Sequence, residues 1–293
     1  MPTPPDISLW IQKLAEAKLP ARQSSPDLLL QLQQTLRRPV DRVLVIAADV
    51  DPDVDLLQSV ARDRTADIDI GLTVLAGMLP VQQVVVDTKA IRRVDSRYPN
   101  LDPTLLIRRY FGRRLRSGVL PTEVGVLVLD SLTAAQFGAI EQGKPVDSLP
   151  VVIDDRLSHR RLRLSAPRSA TVAEVLKQAS IDAADSIIVS GPLLRHERVS
   201  MTKPIGETEL WLHVVPCAIP RPASACTRCG ECVSACPAHI HPAALLDASQ
   251  RRDWQMGVSF GLRSCIECGV CDDVCPSNLP ILASIQRLKT LPS

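Results

Sequence analysis

Cys226-Thr-Arg-Cys229-Gly-Glu-Cys232-Val-Ser-Ala-Cys236-Pro237 and Cys265-Ile-Glu-Cys268-Gly-Val-Cys271-Asp-Asp-Val-Cys275-Pro276 are two copies of one spacing, C-x2-C-x2-C-x3-C-P. Two-residue gaps let three thiolates converge on one cubane while the peptide wraps it. The fourth cysteine, further on and followed by proline, is aimed at the other cluster. The ligands therefore cross. One 4Fe–4S cluster is expected on Cys226, Cys229, Cys232 and Cys275, and a second on Cys265, Cys268, Cys271 and Cys236. Gly230 and Gly269 stand where the backbone approaches inorganic sulfur, a place that favours a residue without Cβ and leaves peptide N–H groups facing the anionic cluster. Two zinc knuckles are the competing reading. Zinc takes four ligands per ion, usually as two separated pairs, whereas each run here holds four cysteines and is closed by proline.

A cubane among thiolates changes charge by one unit without rearranging its ligands, so this segment predicts one-electron transfer with no bound substrate. Glu231, Glu267, Asp272 and Asp273, in or beside the motifs, disfavour the reduced state, while Arg228 and Arg263 oppose them. With all eight thiolates assigned, His239 and His241 read as connector residues. The ninth cysteine, Cys217, has no partner and reads as a small buried apolar residue. The composition turns to cysteine, glycine and proline from Ile219, with a helical connector from Pro242 to about Arg252.

Upstream the chemistry is quieter. A proline-bounded amphipathic stretch, Ile7 to Leu19, precedes Arg42-Val-Leu-Val-Ile-Ala-Ala48, a short β-branched run suited to a central parallel strand covered on both faces. Similar runs return at Val81 to Asp87 and Val124 to Asp130, separated by helical patterns at Ala66 to Leu79 and Pro103 to Leu115. This alternation predicts an α/β layer over roughly residues 40–145. Val151 to Ile153 and Arg161 to Leu164 suggest a hairpin, Thr171 to Ser180 a helix, and Ser186 to Val189 a strand closed by the turn Ser190-Gly-Pro192. Together they make a small mixed α+β module. The expected domains are 1–147, 148–216 and 217–293. Five arginines in Ile107-Arg-Arg-Tyr-Phe-Gly-Arg-Arg-Leu-Arg116 spread around a helix, which reads as a solvated face; docking of an acidic carrier is the sharper alternative.

The chain has 293 residues, 45% of them hydrophobic, and a formal charge of +2. That is enough to bury a substantial core, and it gives no electrostatic case for nucleic acid. With 3% aromatics, base stacking is unsupported too. No Walker loop and no Ser-His-Asp or Gly-x-Ser-x-Gly arrangement stands out, so hydrolysis and phosphoryl transfer are not expected. No stretch approaches the roughly 20 apolar residues of a membrane span, and the start lacks the order of a secretion signal. A cytoplasmic location follows, peripheral on the inner membrane face where a complex holds the chain there.

The ending Cys265-Ile-Glu-Cys-Gly-Val-Cys-Asp-Asp-Val-Cys-Pro-Ser-Asn-Leu-Pro280 resembles the second cluster motif of the C subunit of the Rnf electron-transport complex and of its relative, the cobalamin reductase of propanediol-utilising microcompartments. Ser190-Gly-Pro-Leu-Leu194 and Lys203-Pro-Ile-Gly206 are similar to stretches of that family's β-grasp (SLBB) module. Gly118-Val-Leu-Pro-Thr-Glu-Val-Gly125 with Gly143-Lys-Pro145 resembles the segment leading out of its Rossmann-like flavin domain. The resemblance implies a Rossmann-like layer, an SLBB-like module and a carboxyl-terminal ferredoxin-like domain. It also implies partners: a flavoprotein, a ferredoxin or the subunits of a membrane complex.

The departure from the family is at the amino-terminal end. Members that take electrons from NADH carry a Gly-x-Gly-Gly-x-Gly-Phe-Pro-Thr loop for flavin and nucleotide phosphates, whereas the counterpart here, Ile11 to Pro20, has no glycine. The family's Asn-Ala-x-Glu-Cys-Glu-Pro appears as Ala47-Ala-Asp-Val-Asp-Pro52, in which Asp49 and Asp51 read as a polar loop with a candidate role as acids. FMN and NAD are therefore not expected, and no catalytic residue is assigned. The leading expectation is a non-catalytic iron–sulfur relay subunit. The alternatives are a flavin-dependent NAD(P)H oxidoreductase with an unrecognised nucleotide site, and a redox sensor, for which no DNA-recognition helix or basic surface is apparent.

Overall fold

Asp6 and Asp27 each accept a hydrogen bond from a backbone N–H of the turn that follows, and these caps start α1 (Ile7–Ala17) and α2 (Leu28–Thr35). Both helices bury one apolar stripe, Trp10 with Leu14 and Leu28 with Leu32. The computed structural model describes residues 6–22, 24–51, 54–86, 98–192, 194–217 and 221–292. The chain divides into two units. The first comprises Met1–Leu115, Val119–Gly191 and Glu197–Pro216, and the second Arg116–Gly118, Pro192–His196 and Cys217–Ser293.

In the first unit, β1 (Arg42–Ile46), β2 (Gln83–Val86) and β3 (Val126–Asp130) form a parallel sheet in the order β2-β1-β3, with β1 central. All of β3 is buried, as befits a strand covered on both faces. The helices of this layer are α3 (Leu56–Asp63), α4 (Thr65–Met78), α5 (Pro103–Phe111) and α6 (Ser131–Glu141). Two expected strands start later than predicted: Val81 and Gln82 precede β2, and Val124 belongs to a 3-10 turn, Pro121–Val124, ahead of β3; the expected end of the first, Asp87, lies outside the described residues.

The helix expected to reach Leu115 stops at Phe111, because Gly112 takes φ 66° and its N–H closes the last turn on Arg108 O. The arginines of 107–116 therefore do not share a helical face. Arg113, past the cap, donates to Asp41 Oδ1 at 2.6 Å, to Asp41 Oδ2 at 2.8 Å and to Val124 O at 2.8 Å. Its guanidinium ties the start of β1 to the entry of β3, and it holds the Asp41 carboxyl below the usual carboxylate range.

β4 (Ser148–Asp155) and β5 (Arg160–Pro167) form an antiparallel hairpin, and α7 (Val172–Gln178) follows from a capping box of Thr171 and Glu174. With β6 (Ser186–Ser190), β7 (Glu197–Arg198) and β8 (Trp211–Pro216) they complete a five-stranded sheet of order β5-β4-β8-β6-β7. β8 runs parallel to β4 and antiparallel to β6. One core joins this sheet to the α/β layer, with Phe137 stacked on Trp10 at 4.0 Å and Val151, Ile153, Val175 and Leu212 buried beside them.

The second unit is built from short helices: α8 (Glu231–Ser234), α9 (Pro242–Arg251), α10 (Trp254–Ser259), α11 (Val270–Asp273) and α12 (Ile281–Lys289). His241 starts α9, its Nδ1 accepting from Ala244 N at 3.2 Å, and Pro242 occupies the first turn, where a missing N–H costs nothing. Leu245, Leu262, Ile281, Ile285 and Leu288 pack with Cys232 and Cys265 into a small core. Cys217 is exposed, not buried as the sequence suggests, since it follows the last residue of β8. Among the described residues no helix is long and apolar enough to cross a membrane.

Candidate iron–sulfur site

The two cysteine motifs fold alike. Arg228 and Glu267, each just before the second cysteine of its motif, take φ 57°. Gly230 and Gly269 take φ 84° and 80° and open α8 and α11, the single turns that carry Cys232 and Cys271. Left-handed residues of this kind let a short chain curl into a concavity whose N–H groups face an anion.

Cys226, Cys229, Cys232 and Cys275 line one cavity. Cys236, Cys265, Cys268 and Cys271 line another. The fourth cysteine of each motif thus lines the same cavity as the first three of the other. The remaining walls are mainly apolar, with Ala243, Leu246 and Ile281 at the first cavity and Ile240, Leu282 and Ile285 at the second. Among the described residues no three His, Cys, Asp or Glu side chains lie close enough to hold a single metal ion.

Burial pushes the Cys232 thiol up, and Cys229, Cys275 and Cys226 push it further. Burial likewise raises Cys265 and Cys271, with Cys236 of the other motif adding to both. Thiols crowded in this way become thiolates when a metal centre compensates their charge.

Different contacts hold the two loops. At the first, Ser277 Oγ donates to Ala225 O at 2.9 Å and Ser224 N donates to Ser277 O at 3.0 Å. This clamp joins the residue before Cys226 to the turn after Cys275. Sequence reading gives Ser277 no role of its own, although it stands in the motif's tail, Pro276-Ser-Asn-Leu-Pro280. At the second loop, Arg195 Nη1 donates to Ile266 O at 3.1 Å, and a Cβ on Gly269 would overlap Leu194 O. Lys289 Nζ donates to Cys265 O at 2.8 Å and Ser117 Oγ at 2.7 Å and pairs with Glu267. Burial opposes ionisation of Glu267, but Lys289 and the Gln286 amide outweigh it and hold the carboxyl below its usual range. Asp272 is shifted up by burial, and its Oδ1 accepts from Leu282 N at 2.8 Å. Arg263 lies over the Trp254 ring at 4.9 Å. Neither His239 nor His241 lines either of these two cavities.

The acids at the strand ends lie in the first unit. Asp49 is buried, not set in a solvated loop: Oδ2 accepts from Leu57 N at 2.8 Å, Oδ1 has no partner among the described residues, and burial raises the carboxyl to about 7. Asp51 is buried as well. At the end of β3, Asp130 accepts from Arg22 Nε at 3.1 Å and from Ser24 Oγ at 2.8 Å, while Arg22 Nη2 donates to Thr133 Oγ1 at 2.7 Å. Burial opposes its ionisation, yet Arg22 keeps the Asp130 carboxyl low.

Residues 218–279 match the family described as 4Fe-4S dicluster domain, so the chain ends in a ferredoxin-type iron–sulfur domain. Over a longer stretch the chain is similar to curated proteins named as the C subunit of an ion-translocating oxidoreductase complex, in agreement with the resemblance its motifs carry. The protein of that name from Rhodobacter capsulatus is 27% identical, covering 84% of this chain and 53% of its own length. That from Pseudomonas aeruginosa is 25% identical over 71% of this chain and 30% of its own. That from Haemophilus influenzae is 24% identical over 87% and 42%. The chain thus spans about half the length of its curated relatives, or less.

Proposed function

We propose that the chain is a relay subunit that carries single electrons through two 4Fe–4S clusters, one on Cys226, Cys229, Cys232 and Cys275 and one on Cys236, Cys265, Cys268 and Cys271. The observation that carries this is the pair of four-cysteine cavities with crossed membership. Each cluster, when bound, accepts and returns one electron. The protein supplies the thiolates, the concave loops and apolar walls that limit water, which together set the potential. Residues 1–147 serve as a Rossmann-like scaffold, 148–216 as an SLBB-like module and 217–293 as the cluster domain. The relatives' name supports assembly with a redox partner in a multi-subunit complex, which would hold this chain at the cytoplasmic face of a membrane.

Flavin and NADH have no part in this reading. Ligands of parallel α/β sheets sit at the carboxyl ends of the strands, with phosphates on free N–H groups. Here those ends carry the buried carboxylates Asp49 and Asp130, the latter locked to Arg22. The stretch that would correspond to the glycine loop includes most of α1, whose N–H groups are largely consumed within the helix. The test is anaerobic reconstitution with iron, sulfide and excess FMN, followed by desalting and assay of NADH-dependent viologen reduction. The relay reading expects no retained flavin, no NADH turnover and reduction of the clusters by dithionite. Stoichiometric FMN with turnover would replace it with the oxidoreductase reading.

A further inference from the structure

We infer that Ser277 is a positioning residue for the first centre: it holds the loop of Cys226 against the turn of Cys275, so that the two motifs can share one cluster. The inference rests on the two-cluster reading. Residues 221–229 are exposed without interruption and carry two ligands of the first cavity, Cys226 and Cys229. Among the described residues this stretch makes two hydrogen bonds to the rest of its unit, and both go to Ser277. The Ser277 hydroxyl donates to Ala225 O at 2.9 Å, and its carbonyl accepts from Ser224 N at 3.0 Å. One residue thus grips the segment before Cys226 at two points. Ser277 is itself 3% exposed and lines the cavity with Cys226 and Cys275.

The other motif shows why a serine stands here. Two residues past its fourth cysteine comes Ala238, which lines the second cavity and has no hydroxyl to donate. The loop at that cavity is held by other segments instead. Arg195 Nη1 donates to Ile266 O, Lys289 Nζ to Cys265 O, and Ser117 N to Arg263 O at 3.0 Å. The loop with three outside anchors can leave alanine at this position, and the exposed loop, with one anchor, has serine. Ligation by an exposed loop requires that the loop be ordered, and bonds formed within the protein order it before iron arrives. Groups outside the ligand set orient the ligands and govern how firmly the metal is kept. Cutting the clamp frees Cys226, the residue next to Ala225, to leave its iron more often.

The full chain is reconstituted anaerobically with iron and sulfide as wild type, Ser277→Ala, Ser224→Pro and Ala238→Ser. Ser277→Ala removes the hydroxyl and gives the first motif the residue of the second. Ser224→Pro removes the other donor at an exposed position. The EPR signal that Cys275→Ser abolishes identifies the first centre. Its loss to bathophenanthroline should be about threefold to tenfold faster in Ser277→Ala and in Ser224→Pro, the range expected for one hydrogen bond. Its g-values should shift as well, with the thermal midpoint and the second centre's signal and release rate unchanged. Ala238→Ser should alter neither centre. If Ser277→Ala does not fold, Ser224→Pro decides. Release and g-values of the first centre indifferent to both variants overturn this inference and leave the two-cluster reading standing. Equal acceleration at both centres overturns it too, because a general loosening of the unit would then account for the loss. A wild-type chain that holds no iron overturns the two-cluster reading itself.

Discussion

Arg228 and Glu267 occupy one backbone position in the two cysteine motifs, at the same φ, yet one projects among exposed residues and the other is held by Lys289 and Gln286. The glycines that follow differ in the same sense. A Cβ on Gly230 would meet open space, and one on Gly269 would overlap Leu194 O. Ligand spacing fixes how a loop curls around its centre; the segments packed outside the loop decide who can reach that centre and at what potential. Two copies of one motif thus yield one open and one sheltered site.

The crossing of ligands is the part of this comparison whose failure would matter most. Cys275→Ser should strip the centre held by Cys226, Cys229 and Cys232 and spare the one beside it in sequence. Cys236→Ser should do the reverse. EPR of the reduced variants reads this out, and loss of the neighbouring centre instead would mean that each motif serves itself.

A smaller effect separates the two glycines. Alanine at a left-handed position costs about 1–2 kcal/mol, so Gly230→Ala should weaken the first loop modestly. Gly269→Ala adds a clash with Leu194 and should lose iron from the second site faster under a chelator such as bathophenanthroline. Equal rates would remove the contrast in packing.

Smallest is the electrostatic contrast. Lys289→Met removes an ammonium from Cys265 O and leaves Glu267 without its ion-pair partner, so the second centre should become harder to reduce, by on the order of tens of millivolts, while the first is unmoved. An EPR-monitored redox titration resolves the two. A shift of both centres together would deny that Lys289 acts locally.

The iron–sulfur domain was legible because thiolate spacing is a local constraint that leaves few geometries. The β-branched runs behind β1 and β3 were legible for a similar reason: strands buried on both faces tolerate little else. What sequence reading missed is non-local. Nothing in Ser117, Leu194 or Arg195 says that they join the cluster unit, since that depends on chain returning from elsewhere. The arginine-rich stretch misled because five cations in ten residues look like one surface. Gly112 breaks the helix, and Arg113 turns to Asp41. Asp49 looked like loop polarity, because sequence alone does not reveal that the end of β1 is interior.

Anaerobic purification followed by iron, acid-labile sulfide and zinc analysis on one sample tests the central claim most directly. Two 4Fe–4S centres require about eight iron and about eight sulfide per chain. About two zinc with no sulfide, or about four iron with about four sulfide, would contradict it.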